Sequence, residues 1–210
     1  AIGDVGHTDK MLSNNFVPIY IGFMGAYLEK IFPNEIDVVL FKDSKKLLRF
    51  VGTNKPDVLA MSNYCWNVKL THHLFRYYKN ICPSGVTIIG GPNFPIDKDE
   101  VALWMNEHTH IDFAIERESE LPGAHILTRL FETDFDLAMA TSSPVSGSFC
   151  LSREGELQHI FEPALKELDD IPSPYLNGSM DEFLIHDVKG FALIPLLETT
   201  RGCPFTCTFC

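Results

Sequence analysis

Three cysteines stand together in the last eight residues of the 210-residue chain. They are Cys203, Cys207 and Cys210, in the pattern CxxxCxxC. Cysteine thiolates are soft ligands that suit iron–sulfur clusters, and three of them in one short segment can hold three corners of a [4Fe–4S] cube. The fourth iron would then be free to bind another molecule. The spacing therefore favours an iron–sulfur site with one open position.

A zinc site is the main alternative for these cysteines. Structural zinc takes four protein ligands, commonly from two CxxC pairs, and no fourth ligand is adjacent here. The nearest histidine, His186, lies 17 residues before Cys203. Chance clustering is a further alternative. The other cysteines, Cys65, Cys82 and Cys150, are expected to be small, partly buried residues.

The composition limits the class of protein. Apolar residues make up 45% and charged residues 21% of the chain, which is usual for a globular protein. The net charge of −11 argues against binding to a nucleic-acid backbone or an anionic membrane. No apolar run reaches the roughly 18 residues of a membrane helix, and no secretory signal is recognisable. We expect a cytoplasmic protein with no nucleic-acid or membrane partner.

Residues 1–135 alternate between β-rich runs and helix-like segments. Because the β-rich runs are almost continuously apolar, they predict a doubly wound α/β fold, a parallel sheet with helices on both faces. The predicted strands are 1–5, 36–41, 57–62, 86–89 and 111–115. The predicted helices are 17–32, 44–51, 68–81, 97–107 and 120–132. Sheets of this kind bind ligands at the carboxyl ends of their strands.

The sequence changes character after residue 140. A β-hairpin is predicted from 149–152 and 156–161, a proline-stiffened connector at 168–175 and a short helix at 180–186. Residues 192–198 (ALIPLLE) predict one more strand, which leads into the cysteines. We therefore divide the chain into an α/β domain over 1–140, a hairpin and linker over 141–190, and the start of another domain over 191–210.

The cysteine segment resembles the radical S-adenosylmethionine (SAM) superfamily. The signature of that family is CxxxCxΦC, where Φ is aromatic, in the loop after the first strand of a barrel. Phe209 occupies the Φ position, and residues 192–198 would be that strand. The resemblance implies that Cys203, Cys207 and Cys210 ligate a [4Fe–4S] cluster, that SAM chelates its fourth iron, and that Phe209 lies near the adenine of SAM.

The upstream region resembles the cobalamin (B12)-binding branch of that superfamily, with a Rossmann-like, flavodoxin-like domain. The similar segments occur in the family's order along the chain: 18–28 (PIYIGFMGAYL), 55–62 (KPDVLAMS), 64–67 (YCWN), 88–92 (IIGGP), 112–120 (DFAIERESE) and 168–176 (LDDIPSPYL). By this resemblance the cobalamin contacts are Ser62, Tyr64, Trp66, Asn67, Gly90, Gly91, Pro92, Glu118 and Glu120.

The chemistry of these residues suits a corrin with a nucleotide tail. Gly90 and Gly91 allow a close backbone approach, and Ser62 is placed to bond a polar group of the tail. Tyr64 and Trp66 are expected against the corrin edge. The simpler readings are a tight strand–helix turn for the two glycines and a core aromatic for Trp66.

Two departures from the family pattern are visible. Some B12 proteins ligate cobalt through the histidine of D-x-H-x-x-G, whereas Asp4 and His7 are spaced D-x-x-H, so we assign His7 no cobalt-ligand role. Arg117 and Ser119 replace the two glycines of the family's G-E-G-E element, although Glu118 and Glu120 remain.

The resemblance implies the N-terminal part of a cobalamin-dependent radical SAM enzyme. Such enzymes methylate or rearrange an unactivated carbon by means of a 5′-deoxyadenosyl radical and methylcobalamin, with flavodoxin or ferredoxin as electron donor. The sequence does not identify the small-molecule substrate. Because a (β/α) barrel needs about 200 further residues, these 210 residues alone are not expected to turn over. The alternatives are a stand-alone B12 carrier or sensor, or an α/β domain with a metal-binding tail.

Overall fold

The computed structural model describes residues 1–6, 16–95, 97–185, 193–202 and 205. Within these residues, seven strands form one sheet in the order β2-β1-β3-β4-β5-β6-β7. The strands are β1 (Ile2–Gly6), β2 (Leu40–Asp43), β3 (Val58–Ser62), β4 (Val86–Gly90), β5 (Phe113–Ile115), β6 (Ser148–Leu151) and β7 (Leu157–His159). Strands β1 to β5 are parallel, and β6 and β7 are antiparallel additions. The predicted α/β class, with the 2-1-3-4-5 order typical of flavodoxin, is confirmed.

Helices follow the parallel strands as predicted. They are α1 (Ile19–Ile31), α2 (Ser44–Asn54), α3 (Val68–Ile81), α4 (Lys98–Glu107), α5 (Glu120–Glu132), the short α6 (Leu137–Ala140) and α7 (Asp181–Ile185), with a 3₁₀ helix at Leu168–Asp170. Asp43 caps α2 by accepting hydrogen bonds from the backbone amides of Lys45 and Lys46, at 2.8 and 2.9 Å. Asp97 caps α4 in the same way. These caps fix where two of the helices begin.

Successive residues of the central strands point into two separate cores, one on each face of the sheet. Leu59 and Met61 pack in the core beneath α2, α3 and α4. Ala60 and Ile88 pack in the other core, beneath α1 and α5. Because both faces are buried, most positions of these strands are apolar, the buried Thr87 of β4 being an exception, which explains the nearly continuous apolar runs in the sequence.

Two predicted strands are wrong in extent or existence. The strand predicted at 36–41 is β2, which begins at Leu40, where Leu40 pairs with Ile2 of β1. The strand predicted at 192–198 is not formed in its described part, 193–198. Ile194 there makes one isolated bridge, to Phe16.

The predicted hairpin is present, and the structure shows what it does. Strand β6 pairs with β5, with Phe149 opposite Ala114, and β7 closes the hairpin. The hairpin therefore extends the sheet of the preceding α/β region across the boundary drawn at residue 140. The short helix predicted at 180–186 is α7.

Two histidine rings are buried together between α3 and the start of β5. The Nδ1 atom of His72 lies 2.8 Å from the Nε2 atom of His110. Burial, together with the neighbouring charges of Arg76 and His108, lowers the pKa of each ring to about 4. Both rings are therefore neutral at pH 7, and one ring donates to the other.

This pair predicts a loss of stability in mild acid. Because the folded-state pKa values lie below the unfolded value of about 6.5, the unfolded chain binds more protons as the pH falls. The free energy of unfolding should therefore decrease from about pH 7 to pH 5. His72→Gln should lose about 2 kcal/mol less than the wild type over this range in urea titrations. His73→Gln, a change at the exposed neighbouring residue, is the control. A wild-type pH dependence in His72→Gln would contradict the prediction.

Candidate functional site

A cavity of about 370 Å³ opens at the carboxyl end of the parallel strands. It lies on the side of α1 and α5, with Ile21 and Met24 of α1 on one wall and Ala60 and Ile88 of the sheet on the other. Its rim is formed by the loops that follow β3, β4 and β5. This is where open α/β sheets bind ligands, and the volume is within the usual range for small-molecule sites.

Most residues predicted to contact cobalamin meet at this cavity. The lining includes the predicted residues Ser62, Tyr64, Gly90, Gly91, Pro92, Glu118 and Glu120. Trp66 and Asn67 are not in the lining. Trp66 is 52% exposed, so it is not a core aromatic, and its ring stacks on Tyr64 with centroids 4.5 Å apart. The two rings form one flat aromatic surface beside the opening.

The Ser62 hydroxyl is already engaged in a side-chain network. It donates to Oδ1 of Asp4 at 2.6 Å and accepts from Nδ2 of Asn67 at 2.9 Å. Oδ1 of Asn67 in turn accepts from the backbone amide of Tyr64 at 2.8 Å. Asn67 is completely buried, so its role in the structure is to shape the loop that carries Tyr64. Ser62 has only acceptor capacity left for a ligand.

The adjacent glycines at the end of β4 have different roles. Gly91 has φ +120°, and a Cβ there would lie 2.8 Å from the backbone oxygen of Asn63. The turn therefore requires glycine at this position. Gly90 has ordinary backbone angles, and a Cβ there would meet only Ile115, at 3.8 Å. Because Gly90 lines the cavity, its missing side chain leaves open space.

A buried ion pair closes one side of the cavity. Glu120, the first residue of α5, is 3% exposed, and its Oε1 atom lies 3.0 Å from Nη1 of Arg201. Arg201 also donates from Nη2 to Oε2 of Glu198 at 2.8 Å. Burial raises the pKa of Glu120, and the Arg201 guanidinium opposes this rise. Sequence reasoning missed Arg201 and Glu198, and the only signal was their i, i+3 spacing just before Cys203.

The cysteine motif falls outside the described residues, as do Phe209 and His7. Among the remaining cysteines, Cys65 is exposed, Cys82 is partly buried and Cys150 is buried, and burial raises the pKa of Cys150 to about 12. In the part of the chain that the structure describes, no three histidine, cysteine or acidic side chains are arranged to hold a metal ion. None of the helices in that part is long and apolar enough to cross a bilayer.

The fold and the cavity define a flavodoxin-like α/β domain with an open cavity at the carboxyl ends of its parallel strands. Comparison with known proteins found no matching family model. It did find curated relatives. The chain is 28% identical over 206 residues to the cobalamin-dependent radical SAM methyltransferase TokK of Streptomyces tokunonensis. It is 29% identical over 206 residues to 2-(S-pantetheinyl)-carbapenam-3-carboxylate methyltransferase of Streptantibioticus cattleyicolor.

These relatives confirm the resemblance stated from the sequence. The alignments cover 93% of this chain but only 28% of each relative, so the chain spans less than a third of their length. The solved structure of the cobalamin-dependent S-adenosylmethionine radical enzyme OxsB, with aqua-cobalamin and S-adenosylmethionine bound, shares the fold. Its TM-score is 0.69 at 17% identity, over 100% of this chain and 28% of that one. The chain is thus similar, over nearly its whole length, to part of a cobalamin-dependent radical SAM methyltransferase.

The same substitution is predicted to have effects of different size on stability at the two glycines. Gly91→Ala should lower the free energy of unfolding by about 1–3 kcal/mol, because it combines a strained φ with a clash against Asn63. Gly90→Ala should change it by less than about 1 kcal/mol, because space is available. Denaturant titration of both variants measures the difference. Equal losses would contradict the assignment of the turn to Gly91 alone.

Proposed function

We propose that this chain is the cobalamin-binding, N-terminal part of a longer radical SAM enzyme that methylates an unactivated carbon of a small molecule. The observation that carries the proposal is the alignment of nearly the whole chain with methyltransferases of this type. The cavity at the strand ends and the CxxxCxxC motif support it independently. The substrate and the remaining catalytic residues belong to the rest of such an enzyme.

The space between α1 and the sheet fits the nucleotide tail of cobalamin. A second cavity, of about 550 Å³, lies towards the amino ends of the strands. It shares four lining residues with the first: Ile2, Met24, Ala60 and Ile88. The two cavities together form a mainly apolar slot that runs along the face of the sheet. Burying an aromatic base in such a slot costs little free energy, because few polar groups of the base or of the slot are left without hydrogen-bond partners.

The rim of the slot fits the polar parts of the same molecule. Gly90 exposes backbone where a side chain would otherwise stand, so a ring system can approach closely. The stacked pair of Tyr64 and Trp66 offers a flat surface for the corrin edge. Asn67 and Asp4 hold that surface in place through Ser62 and act as positioning residues. Glu118 and Glu120 are acceptors within reach of the amide side chains of a corrin.

The three cysteines are assigned to a second cofactor. We propose that Cys203, Cys207 and Cys210 hold a [4Fe–4S] cluster whose fourth iron takes SAM, with Phe209 near the adenine. When bound, the cluster with SAM would supply hydrogen abstraction, and cobalamin would supply methyl transfer. Protein side chains cannot perform either reaction. A flavodoxin or ferredoxin is the expected electron donor. We place the protein in the cytoplasm, where thiolates stay reduced.

Retention of cobalamin tests the first half of the proposal. After anaerobic incubation with hydroxocobalamin and removal of the excess, the corrin absorption bands should remain at near-equal stoichiometry. Gly90→Ala should weaken retention by about tenfold, or about 1.4 kcal/mol, because the added methyl group enters the slot. Gly52→Ala, the same change on α2 outside the lining, is the matched control. No retained corrin in a folded wild type would overturn the proposal.

Iron content tests the second half. Reconstitution with iron and sulfide should load a [4Fe–4S] cluster into the natural full-length protein. Cys207→Ser should remove most of the iron, because a hydroxyl is a poor replacement for a thiolate ligand. Cys82→Ser, outside the motif, should retain it. One equivalent of zinc without iron would identify the alternative of an α/β domain with a zinc tail. Cobalamin binding with dispensable cysteines would identify a B12 carrier.

A further inference from the structure

We propose that Arg201 is a positioning residue that holds the segment leading into the three cysteines against the wall of the cofactor slot. The significance of this anchor rests on the proposed function, because that function places a cluster on the cysteines and cobalamin in the slot. The anchor itself is a property of the described residues and can be tested without either cofactor.

The guanidinium of Arg201 joins three parts of the chain. Its Nη1 atom is 3.0 Å from Glu120 on α5, and its Nη2 and Nε atoms donate to the two carboxylate oxygens of Glu198, at 2.8 and 3.4 Å. Its Cζ atom lies over the ring of Phe23 on α1, 5.6 Å from the ring centre. A planar fork with several donors suits this geometry, and an ammonium group would satisfy only part of it.

The charge of Glu120 makes this contact important. Among the ion pairs of the described residues, the one that involves Glu120 is its pair with Arg201. The side chain of Arg201 is 14% exposed, so water screens the pair only weakly. Removing one partner of a buried pair leaves an uncompensated charge, which costs far more than loss of a surface ion pair.

Apolar packing does not replace this anchor near the cysteines. Leu197 is 79% exposed and Phe205 is 75% exposed. The other attachments of the segment lie further back. The Tyr175 hydroxyl donates to the carbonyl of Leu196 at 2.8 Å, and the carbonyl of Ile194 accepts from the amide of Val17 at 2.9 Å. In the described part of the segment, the Arg201 side chain is therefore the attachment nearest to the motif.

The position of this anchor ties two predicted cofactor sites together. Glu120, Glu198 and Arg201 all line the cavity at the strand ends. Cys203 follows Arg201 by two residues in the sequence. The seat of Arg201 in the wall therefore constrains where the chain enters the cysteine motif.

Hydrogen exchange of residues 193–202 in the cofactor-free natural protein tests the anchor. Arg201→Met keeps the length of the side chain and removes its charge, and it should accelerate amide exchange in this segment by about tenfold. Arg201→Lys restores the charge without the planar guanidinium, and it should recover part of the protection of these amides against exchange. Arg153→Met, at an exposed arginine in the β6–β7 turn, is the control and should exchange as the wild type. Wild-type exchange in Arg201→Met, or no recovery in Arg201→Lys, would overturn the proposal.

A double-mutant cycle isolates the ion pair. Glu120→Gln combined with Arg201→Met should be far less than multiplicative in its effect on exchange, because the double variant leaves no unpaired charge at position 120. Strict multiplicativity would overturn the proposal.

Cobalamin retention separates this proposal from the proposed function. Faster exchange in Arg201→Met without corrin retention in the wild type would support the anchor and reject the function. Corrin retention with unchanged exchange would do the reverse. With both supported, the electron paramagnetic resonance spectrum of the reduced cluster should respond to cobalamin in the wild type and much less in Arg201→Met. An equal response in both would show that the anchor does not couple the sites and would overturn the proposal.

Discussion

The parallel register of β3 and β4 is the constraint on which the site depends. The five residues of one strand pair in order with the five residues of the other, so Ser62 ends beside Gly90. The polypeptide must leave both strands at the same edge of the sheet, and Gly91 turns away sharply because the backbone of Asn63 occupies the adjacent space. At Gly90 and Gly91 the same turn carries no side chain at this edge. Fold geometry and the opening for a ligand are thus set by one pair of strands.

The sequence predicted best what depends on local periodicity. The bounds of α3 and α5 were predicted correctly, because each has a regular apolar face and ends at a residue where the pattern stops. Strand β2 was predicted too early, since its extent depends on pairing with β1, which is tertiary information. The residues 193–198 have apolar character but make only one isolated bridge, and periodicity alone cannot distinguish this from a strand.

The site was predicted unevenly for the same reason. Gly90, Gly91 and Glu120 stand in segments whose order along the chain resembles a family, and they do line one cavity. The network of Asp4 with Ser62 joins residues 58 positions apart, and the contact of Arg201 with Glu120 joins residues 81 positions apart. No pattern in the sequence identifies such partners. The folded structure determines these partners, because folding brings a buried charge or hydroxyl next to a group that can pair with it.

The hairpin that extends the sheet also determines its outer borders. After β6 and β7 are added, the two edge strands are β2, of four residues, and β7, of three. Edge strands offer unpaired amides and carbonyls to other chains, and short or charged edges discourage such pairing. Lys42 and Asp43 place opposite charges on one edge. In the described residues the sheet therefore presents two short edges, which are poorly suited to strand addition by another chain.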